Sequence, residues 1–215
     1  MIFYHAVREI ALKRKLKLID SFQTNDKYIL DYGCGTGDFL KTALNNGWHV
    51  SGIEPNKEAR SIANQKTKNA VLDLSQIKTI KTQSFDVITL WHVLEHIPNL
   101  EEQITLLKSL LKPNGVLIIA VPNYNSYDAK HYKQFWAAYD VPRHLWHFNQ
   151  TSISNLFKTV KLKVQSTKPM LFDSYYVSLL SEKYKSGRMN IFKAFWIGCV
   201  SNYKARSSGQ YSSLI

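Results

Sequence analysis

The chain has little cysteine, little proline and little negative charge. Cys34 and Cys199 are its only cysteines, and neither has a partner at zinc-ligand spacing, so a disulfide framework and a cysteine-built zinc site are excluded. Six prolines and nine glycines in 215 residues rule out a low-complexity or collagen-like chain. Long apolar runs are missing too. The two longest, Gly115 to Pro122 and Ile191 to Val200, fall short of the roughly 18 to 20 residues that cross a bilayer, and Lys193 interrupts the second, so no transmembrane segment is expected. Met1 to Ile10 carries His5, Arg8 and Glu9 and precedes the basic run Lys13-Arg14-Lys15, the reverse of a signal peptide's order, and a cytoplasmic location is expected. Acids are outnumbered by cations, 16 to 28, for a net charge of +12. That balance raises an acidic partner such as nucleic acid, anionic lipid or a phosphorylated substrate, but the lysines are scattered from Lys13 to Lys204, as on a solvated surface, and nucleic acid is disfavoured.

What is present is an alternation of β-prone and helical segments. Residues 3 to 22 space Phe3, Val7, Ile10, Ala11, Leu18 and Phe22 three and four apart between basic residues, which predicts an amphipathic helix lying on a sheet. Strand-like runs follow at 28–32, 48–53, 70–72, 85–90 and 116–121, with helices over about 57–68 and 100–111 between them. Lys112-Pro113-Asn114-Gly115 reads as a turn. The rhythm implies right-handed crossovers and a doubly wound, mostly parallel α/β sheet with its ligand at the carboxyl ends of the strands. Residues 122–148, rich in Tyr, His, Trp and Pro, read as an insertion covering an acceptor. Asn149-Gln150-Thr151-Ser152 reads as a helix cap, 162–166 as a strand, 174–206 as a helical C-terminal addition and 210–215 as the start of a last strand. The whole, 1–215, is expected to be one domain. In the addition, Ile191, Phe192, Phe195, Trp196 and Ile197 could cover the sheet, pair with another subunit or touch a lipophilic substrate, and of these core packing is expected, with membrane contact of the tail left open.

The chemistry is concentrated after the first strand. In Asp31-Tyr32-Gly33-Cys34-Gly35-Thr36-Gly37-Asp38, the glycines let the backbone turn tightly and approach a ligand, and the amides at the following helix start favour a carboxylate or phosphate. A glycine turn alone serves many nucleotides. Glu54, at the end of the second strand and followed by Pro55, sharpens it, because an acid there accepts both hydroxyls of a ribose. Asp73-Leu74, after the third strand, is placed either to flank an adenine or to cap a helix.

The run Ile29 to Gly37, with its G-x-G-x-G spacing, resembles the first signature of class I S-adenosylmethionine (SAM)-dependent methyltransferases. Nicotinamide and flavin enzymes usually show G-x-G-x-x-G, and Asp38 stands where their last glycine would be. The similarity continues through Phe85 to Pro98 and Leu110 to Leu117. Asp140 to Phe148 is similar to the subgroup of quinone-biosynthesis O-methyltransferases. The resemblance implies a seven-stranded, Rossmann-like sheet with SAM as cofactor. It implies that Asp31, Gly33, Cys34, Gly35 and Gly37 surround the amino acid half, Glu54 and Pro55 the ribose, and Asp73 and Leu74 the adenine. Trp91 and His92 would border the sulfonium.

The expected reaction is methyl transfer to a small-molecule acceptor, with oxygen the first choice of atom. If a hydroxyl must lose its proton, His144 in Pro142-Arg143-His144 is the preferred base, with His92 second; His131 and His147 lie in the same class of segment. The resemblance also draws attention to His92, Glu95 and His96, which would share a helix face, but no metal is expected. The alternatives are an NAD(P)-linked oxidoreductase, a basic RNA- or DNA-binding methyltransferase, and a SAM-binding relic without turnover. Leu90-Trp91-His92-Val93 lacks the Asn/Asp-Pro-Pro-aromatic segment of base N-methyltransferases, which counts against the second.

Overall fold

The structure, a computed structural model, describes residues 2–22, 24 and 26–215, with side chains of the first helix from Val7 onward. Phe3, expected on that helix's apolar face, lies outside the described side chains. Two compact units divide the chain: Met1–Trp91 with Ile104–Ile118, and His92–Gln103 with Ile119–Ile215.

The first unit opens with α1 (Ile2–Asp20), followed by β1 (Tyr28–Tyr32), α2 (Asp38–Leu44), β2 (His49–Ile53), α3 (Lys57–Thr67), β3 (Val71–Leu72) and β4 (Phe85–Trp91). Parallel pairing sets Asp31 opposite Gly52 on β2 and opposite Thr89 on β4. Four of the five β1 residues are buried, as expected of a central strand covered on both faces. Asn56 starts α3 by accepting from the Ala59 amide, and Lys68 ends it in the left-handed conformation. The α1 helix forms as predicted, but its inner face differs. Ile10 is exposed, whereas Arg8 and Lys15 lie on the same half-buried stripe as Ala11, Leu12 and Leu16. Three- and four-residue spacing identified the stripe; reading every cation as solvent-facing misassigned two of its members.

The sheet has six strands in the order β3-β2-β1-β4-β5-β6, with β5 running from Leu111 to Pro122 and β6 from Ser213 to Leu214. Seven were expected. Residues 162–166 form no strand: Val164 is exposed, and the ladder lies a few residues later, where Lys168 and Ile215 exchange amide hydrogen bonds and the Met170 amide donates to Ser213. Leu162 and Val164 alternate with Lys161 and Lys163, which imitates a half-buried strand, but a strand needs a neighbour at that register. The turn expected at 112–115 is also corrected, since that backbone belongs to β5. Proline's fixed φ is compatible with extended chain near a strand's start.

In the second unit, the end of β5 pairs antiparallel with β6, Val121 facing Leu214. The segment after β5 contains α5 (Tyr127–Tyr132) and short 3-10 turns at 133–135 and 137–139, and α6 (Gln150–Thr159) starts at the predicted cap, with Asn149 and Ser152 bonded reciprocally. The helical addition comprises α7 (Asp173–Ser186) and α8 (Ile191–Ser208). These helices share a core of Tyr132, Trp136, Ala138, Val177 and Ile197. The α8 face that enters it is small, consisting of Ala194, Ile197, Gly198, Ser201 and Ala205. A β-carbon on Gly198 would lie 2.5 Å from the Tyr175 ring, so the helices approach closely there. The expectation that Phe192, Phe195 and Trp196 pack as core is overturned along with that of Ile191: all four are exposed, and only Ile197 is buried. Close helix packing selected the small residues and left the bulky ones outside.

Candidate functional site

Ten of the expected site residues lie in the first unit: Asp31, Gly33, Cys34, Gly35, Gly37, Glu54, Pro55, Asp73, Leu74 and Trp91. The amides of Gly33 and Cys34 both bond to the Ile53 carbonyl, at 2.8 and 3.1 Å, which ties the bend to the end of β2. Gly33, Gly35 and Gly37 all have φ between 54° and 76°, a region that side chains other than glycine's reach only with strain. Gly37 is required twice over, because a β-carbon there would meet Ala63 Cβ at 2.8 Å and its Cα at 2.9 Å. Gly35 differs: the space where its β-carbon would stand is open.

The Glu54 carboxylate points at this bend. One oxygen accepts from the Gly35 amide at 2.8 Å and the other from the Asn56 amide at 2.9 Å, while Arg60 donates to the Glu54 carbonyl. Each carboxylate oxygen therefore retains a lone pair. Arg60 also pairs with Asp73 at 2.9 Å. Asp73 caps the 3-10 turn Leu74–Thr79 through the Ser75 amide, so its capping role is present, and Leu74 beside it is exposed.

Asp31 lies buried at the base of the bend. It is 2% exposed, and among the described residues its side chain accepts one hydrogen bond, from Thr89 Oγ1 at 2.6 Å. Burial raises its pKa to about 7 against the opposing pull of the Thr89 bond and the Lys15 charge. Lys15 Nζ lies 4.3 Å from the centre of the Trp91 ring, which is packed edge-on against Phe39 at 5.5 Å. At the start of α2, Asp38 binds Arg8 and Lys66, the latter at 2.9 Å. Arg8, Lys15 and Lys66 were all missed by reasoning from the sequence. The one available signal was that Arg8 and Lys15 share the helical stripe of Ala11 and Leu12. Cys34 is buried, and burial pushes its thiol pKa up, so it is a packing residue and not a nucleophile.

The expected histidines lie in the second unit. His92 follows β4 with φ 57°, and its amide donates to the Ala120 carbonyl. Its Nε2 is 2.9 Å from Asp173 and its Nδ1 3.6 Å from Glu95. Burial alone would lower its pKa, but the two carboxylates outweigh burial and hold it at about 9. His144 is the opposite case. Burial is the largest influence on it and brings its pKa below the usual imidazole value. Its Nδ1 is 2.8 Å from the Ala138 carbonyl, which assigns the proton to Nδ1 and leaves Nε2 as an acceptor. His144 packs with Tyr124, Trp136, Trp146 and Phe148 around a shallow recess that leaves no room for a water-sized molecule. His147 Nε2 bonds to the Tyr139 carbonyl, and buried His131 Nε2 has no hydrogen-bond partner among the described residues.

The expected grouping of His92, Glu95 and His96 on a helix face is replaced by another. Leu94–His96 is a single 3-10 turn, and Glu95, His96 and His144 each bring one ligand-type atom within 4.8 Å of the others. The Glu95 side chain is 1% exposed, and neither of its oxygens has a hydrogen-bond partner among the described residues.

Residues 4–167 match the family model described as Methyltransferase domain. A ubiquinone biosynthesis O-methyltransferase of Coxiella burnetii is 30% identical over 118 residues, covering 52% of this chain and 50% of that protein. One from Glaesserella parasuis is 34% identical over 108 residues, covering 45% and 46%. The chain thus spans about half the length of the curated relatives it matches. Among solved structures, a SAM-dependent methyltransferase from Archaeoglobus fulgidus superposes with a TM-score of 0.60 at 22% identity, over 75% of this chain and 71% of that one. A phosphoethanolamine N-methyltransferase 2 of Haemonchus contortus, in complex with phosphomonomethylethanolamine and S-adenosylhomocysteine, gives 0.60 at 14% identity, over 96% and 51%.

Proposed function

The chain belongs to the methyltransferase-domain family as a class I, SAM-dependent member, and on that premise we propose that it transfers a methyl group to a hydroxyl of a small-molecule acceptor. The observation carrying the cofactor half is the Glu54 carboxylate fixed on the Gly35 amide at 2.8 Å, with buried Asp31 at the base of the same bend. The names of the ubiquinone-biosynthesis relatives support oxygen as the acceptor atom. Family membership leaves no place for the nicotinamide oxidoreductase weighed from the glycine turn.

Bound SAM supplies a methyl group on a sulfonium, activated for in-line displacement. The protein's part is alignment and proton handling. The Glu54 oxygens, held by two amides, accept from a ribose diol, and Asp31 in its ionised form accepts from an α-ammonium. On the acceptor side, His144 is the base: it is neutral at pH 7, and its Nε2, 3.8 Å from an Asp140 carboxylate oxygen, is the nitrogen that takes a hydroxyl proton. His92, held near pKa 9 by Asp173 and Glu95, is a cation at that pH and takes no proton. Residues 122–148 are proposed to cover the acceptor, with the aromatic side chains around His144 parting to admit a flat one.

The cofactor assignment is tested by a pair of glycine variants. Gly35→Ala adds a methyl in open space, so it should cost only about 1 kcal/mol of folding stability while removing most of the melting-temperature shift produced by saturating SAM. Gly37→Ala meets Ala63 and should cost about 2 kcal/mol or more in urea unfolding. If Gly35→Ala keeps the full SAM shift, or if SAM gives the native protein none, the proposed cofactor site is wrong.

The base is tested by methyl-transfer assays across phenols, quinone precursors, sugars and hydroxy acids. With a hydroxyl acceptor and saturating SAM, His144→Gln should lower kcat by about 10² or more. Because a base works deprotonated and the pKa of His144 lies below the ordinary imidazole range, native kcat should hold down to mildly acidic pH before falling. An unchanged kcat in His144→Gln removes this residue from the chemistry.

A further inference from the structure

The outer face of α8 has no part in the proposed methyl transfer, and it is built unlike an ordinary surface. Phe192, Trp196 and Tyr203, at four- and seven-residue spacing, project from one side of the helix with exposures of 89, 67 and 72%. Phe195 beside them is also exposed and stacks on Tyr175. At the helix start, Ile191 and Met189 extend the patch into the exposed α7–α8 turn. The opposite side of α8 is already occupied, by its packing in the second unit's core. Several large apolar side chains grouped on one face mark an interaction surface.

The stretch of chain that carries this patch has charge of one sign. From residue 183 to residue 215 the sequence contains Lys183, Lys185, Arg188, Lys193, Lys204 and Arg206 and no Asp or Glu. Lys193 is paired with Glu182 at 3.0 Å, while Lys183, Lys185 and Arg188 lie exposed in the last turn of α7 and the segment after it. An aromatic and aliphatic wedge on a stretch of chain whose own charges are all cations is complementary to a bilayer carrying anionic headgroups. The same uniform charge opposes a second copy of the chain, whose equivalent face would bring like charges together. With Ile191 and Met189 beside its aromatic residues, the face is also partly aliphatic, unlike the aromatic platforms on which bases stack. At 18 residues, with Lys193, Lys204 and Arg206 within it, α8 is suited to lie in the interface and not to span it.

We propose that the exposed face of α8 and the preceding turn form an interfacial anchor that seats the protein on an anionic lipid surface, with Phe192 and Trp196 entering the headgroup boundary and Lys185 and Arg188 meeting the lipid charges.

The test is flotation of the full chain with vesicles of phosphatidylcholine alone or mixed with phosphatidylglycerol, alongside tryptophan fluorescence of the native chain and of Trp196→Phe, whose difference reports Trp196. The expected result is partitioning to the mixed vesicles that weakens as salt rises, with a blue shift of tryptophan emission. The double variant Phe192→Ser/Trp196→Ser should weaken partitioning about tenfold or more, and Lys185→Glu/Arg188→Glu by a similar factor. All four positions are exposed, so the native circular dichroism melt should be retained. Should a variant fail to fold, the salt and lipid dependence of the native chain decides by itself. Four results would overturn the proposal: no partitioning to mixed vesicles, equal partitioning to both kinds, a native dimer that dissociates in Trp196→Ser, or salt-sensitive binding of single-stranded RNA lost in the Phe192/Trp196 variant.

Discussion

Replacing Asp31 with asparagine is expected to stabilise the unliganded protein at pH 8 and to abolish its melting-temperature response to SAM. The native carboxyl is raised from 3.8 to about 7 by burial. An acid with a raised pKa favours folding fully only below its unfolded value, and that contribution is lost as pH rises through the folded value. Over this interval of about three pH units, the penalty for ionising Asp31 in the folded state grows to about 4 kcal/mol. Asparagine removes that penalty and still offers an oxygen to Thr89 Oγ1, although a neutral acceptor makes a weaker bond, by about 1 kcal/mol. The net gain at pH 8 should therefore be about 2 to 3 kcal/mol, and it should shrink toward zero near pH 4. The measurement is urea unfolding of both proteins between pH 4 and pH 8. A difference that does not vary with pH would show that Asp31 is not the strained acid described.

The functional half of the same experiment runs in the opposite direction. A cationic α-amino group needs the ionised carboxylate, so below pH 7 SAM binding must also expel a proton, and native affinity should fall about tenfold per pH unit. The Asp31→Asn side chain offers no charge, and the variant's affinity should be lower by about 30-fold or more at pH 8 and flat with pH. Stability given up at one residue for affinity at the same residue is the usual signature of a binding site. Titration calorimetry with SAM across pH separates this from a structural role, for which affinity would follow stability.

The residues legible in the sequence were those whose constraint is local. The glycine bend, Glu54 at a strand end and the Asn149 cap each depend on a few neighbouring residues, and the structure places Glu54 against Gly35 as that logic requires. Residues whose role depends on distant partners were not readable. Lys15 reads as one cation in a basic run until α1 carries it over the Trp91 ring. Arg8 becomes notable only when it meets Asp38, 30 positions later. The false strand at 162–166 has the same origin, since alternation reports a half-buried pattern but not whether an edge is available to pair with it. In α8 apolar residues occur all round the helix, and composition alone did not say which half would be buried. The requirement for close approach at Gly198 decided that.

Asp128 is the strongest instance of a role written only in the fold, and Asp128→Ala should destabilise the protein more than Gly37→Ala does. Its carboxylate is fully buried, and it accepts from Trp136 Nε1 at 2.8 Å, from Ser201 Oγ at 2.7 Å and from Ser212 Oγ at 2.8 Å. Those partners come from the segment after β5, from α8 and from the residue before β6, so one side chain joins three parts of the second unit. Truncation leaves an indole N–H and two hydroxyls without their acceptor, at about 1 to 3 kcal/mol each, for a loss of about 4 kcal/mol or more in urea unfolding. Asparagine should lose about half as much. Its oxygen can still serve the indole, and the serine hydroxyls can rotate to accept from its amide, whereas the indole nitrogen is only a donor. Adding Ser201→Ala and Ser212→Ala to Asp128→Ala should then cost much less than the sum of the separate changes, because the orphaned hydroxyls leave with their acceptor. Strict additivity in that series would mean that the three bonds act independently and that Asp128 does not organise the unit.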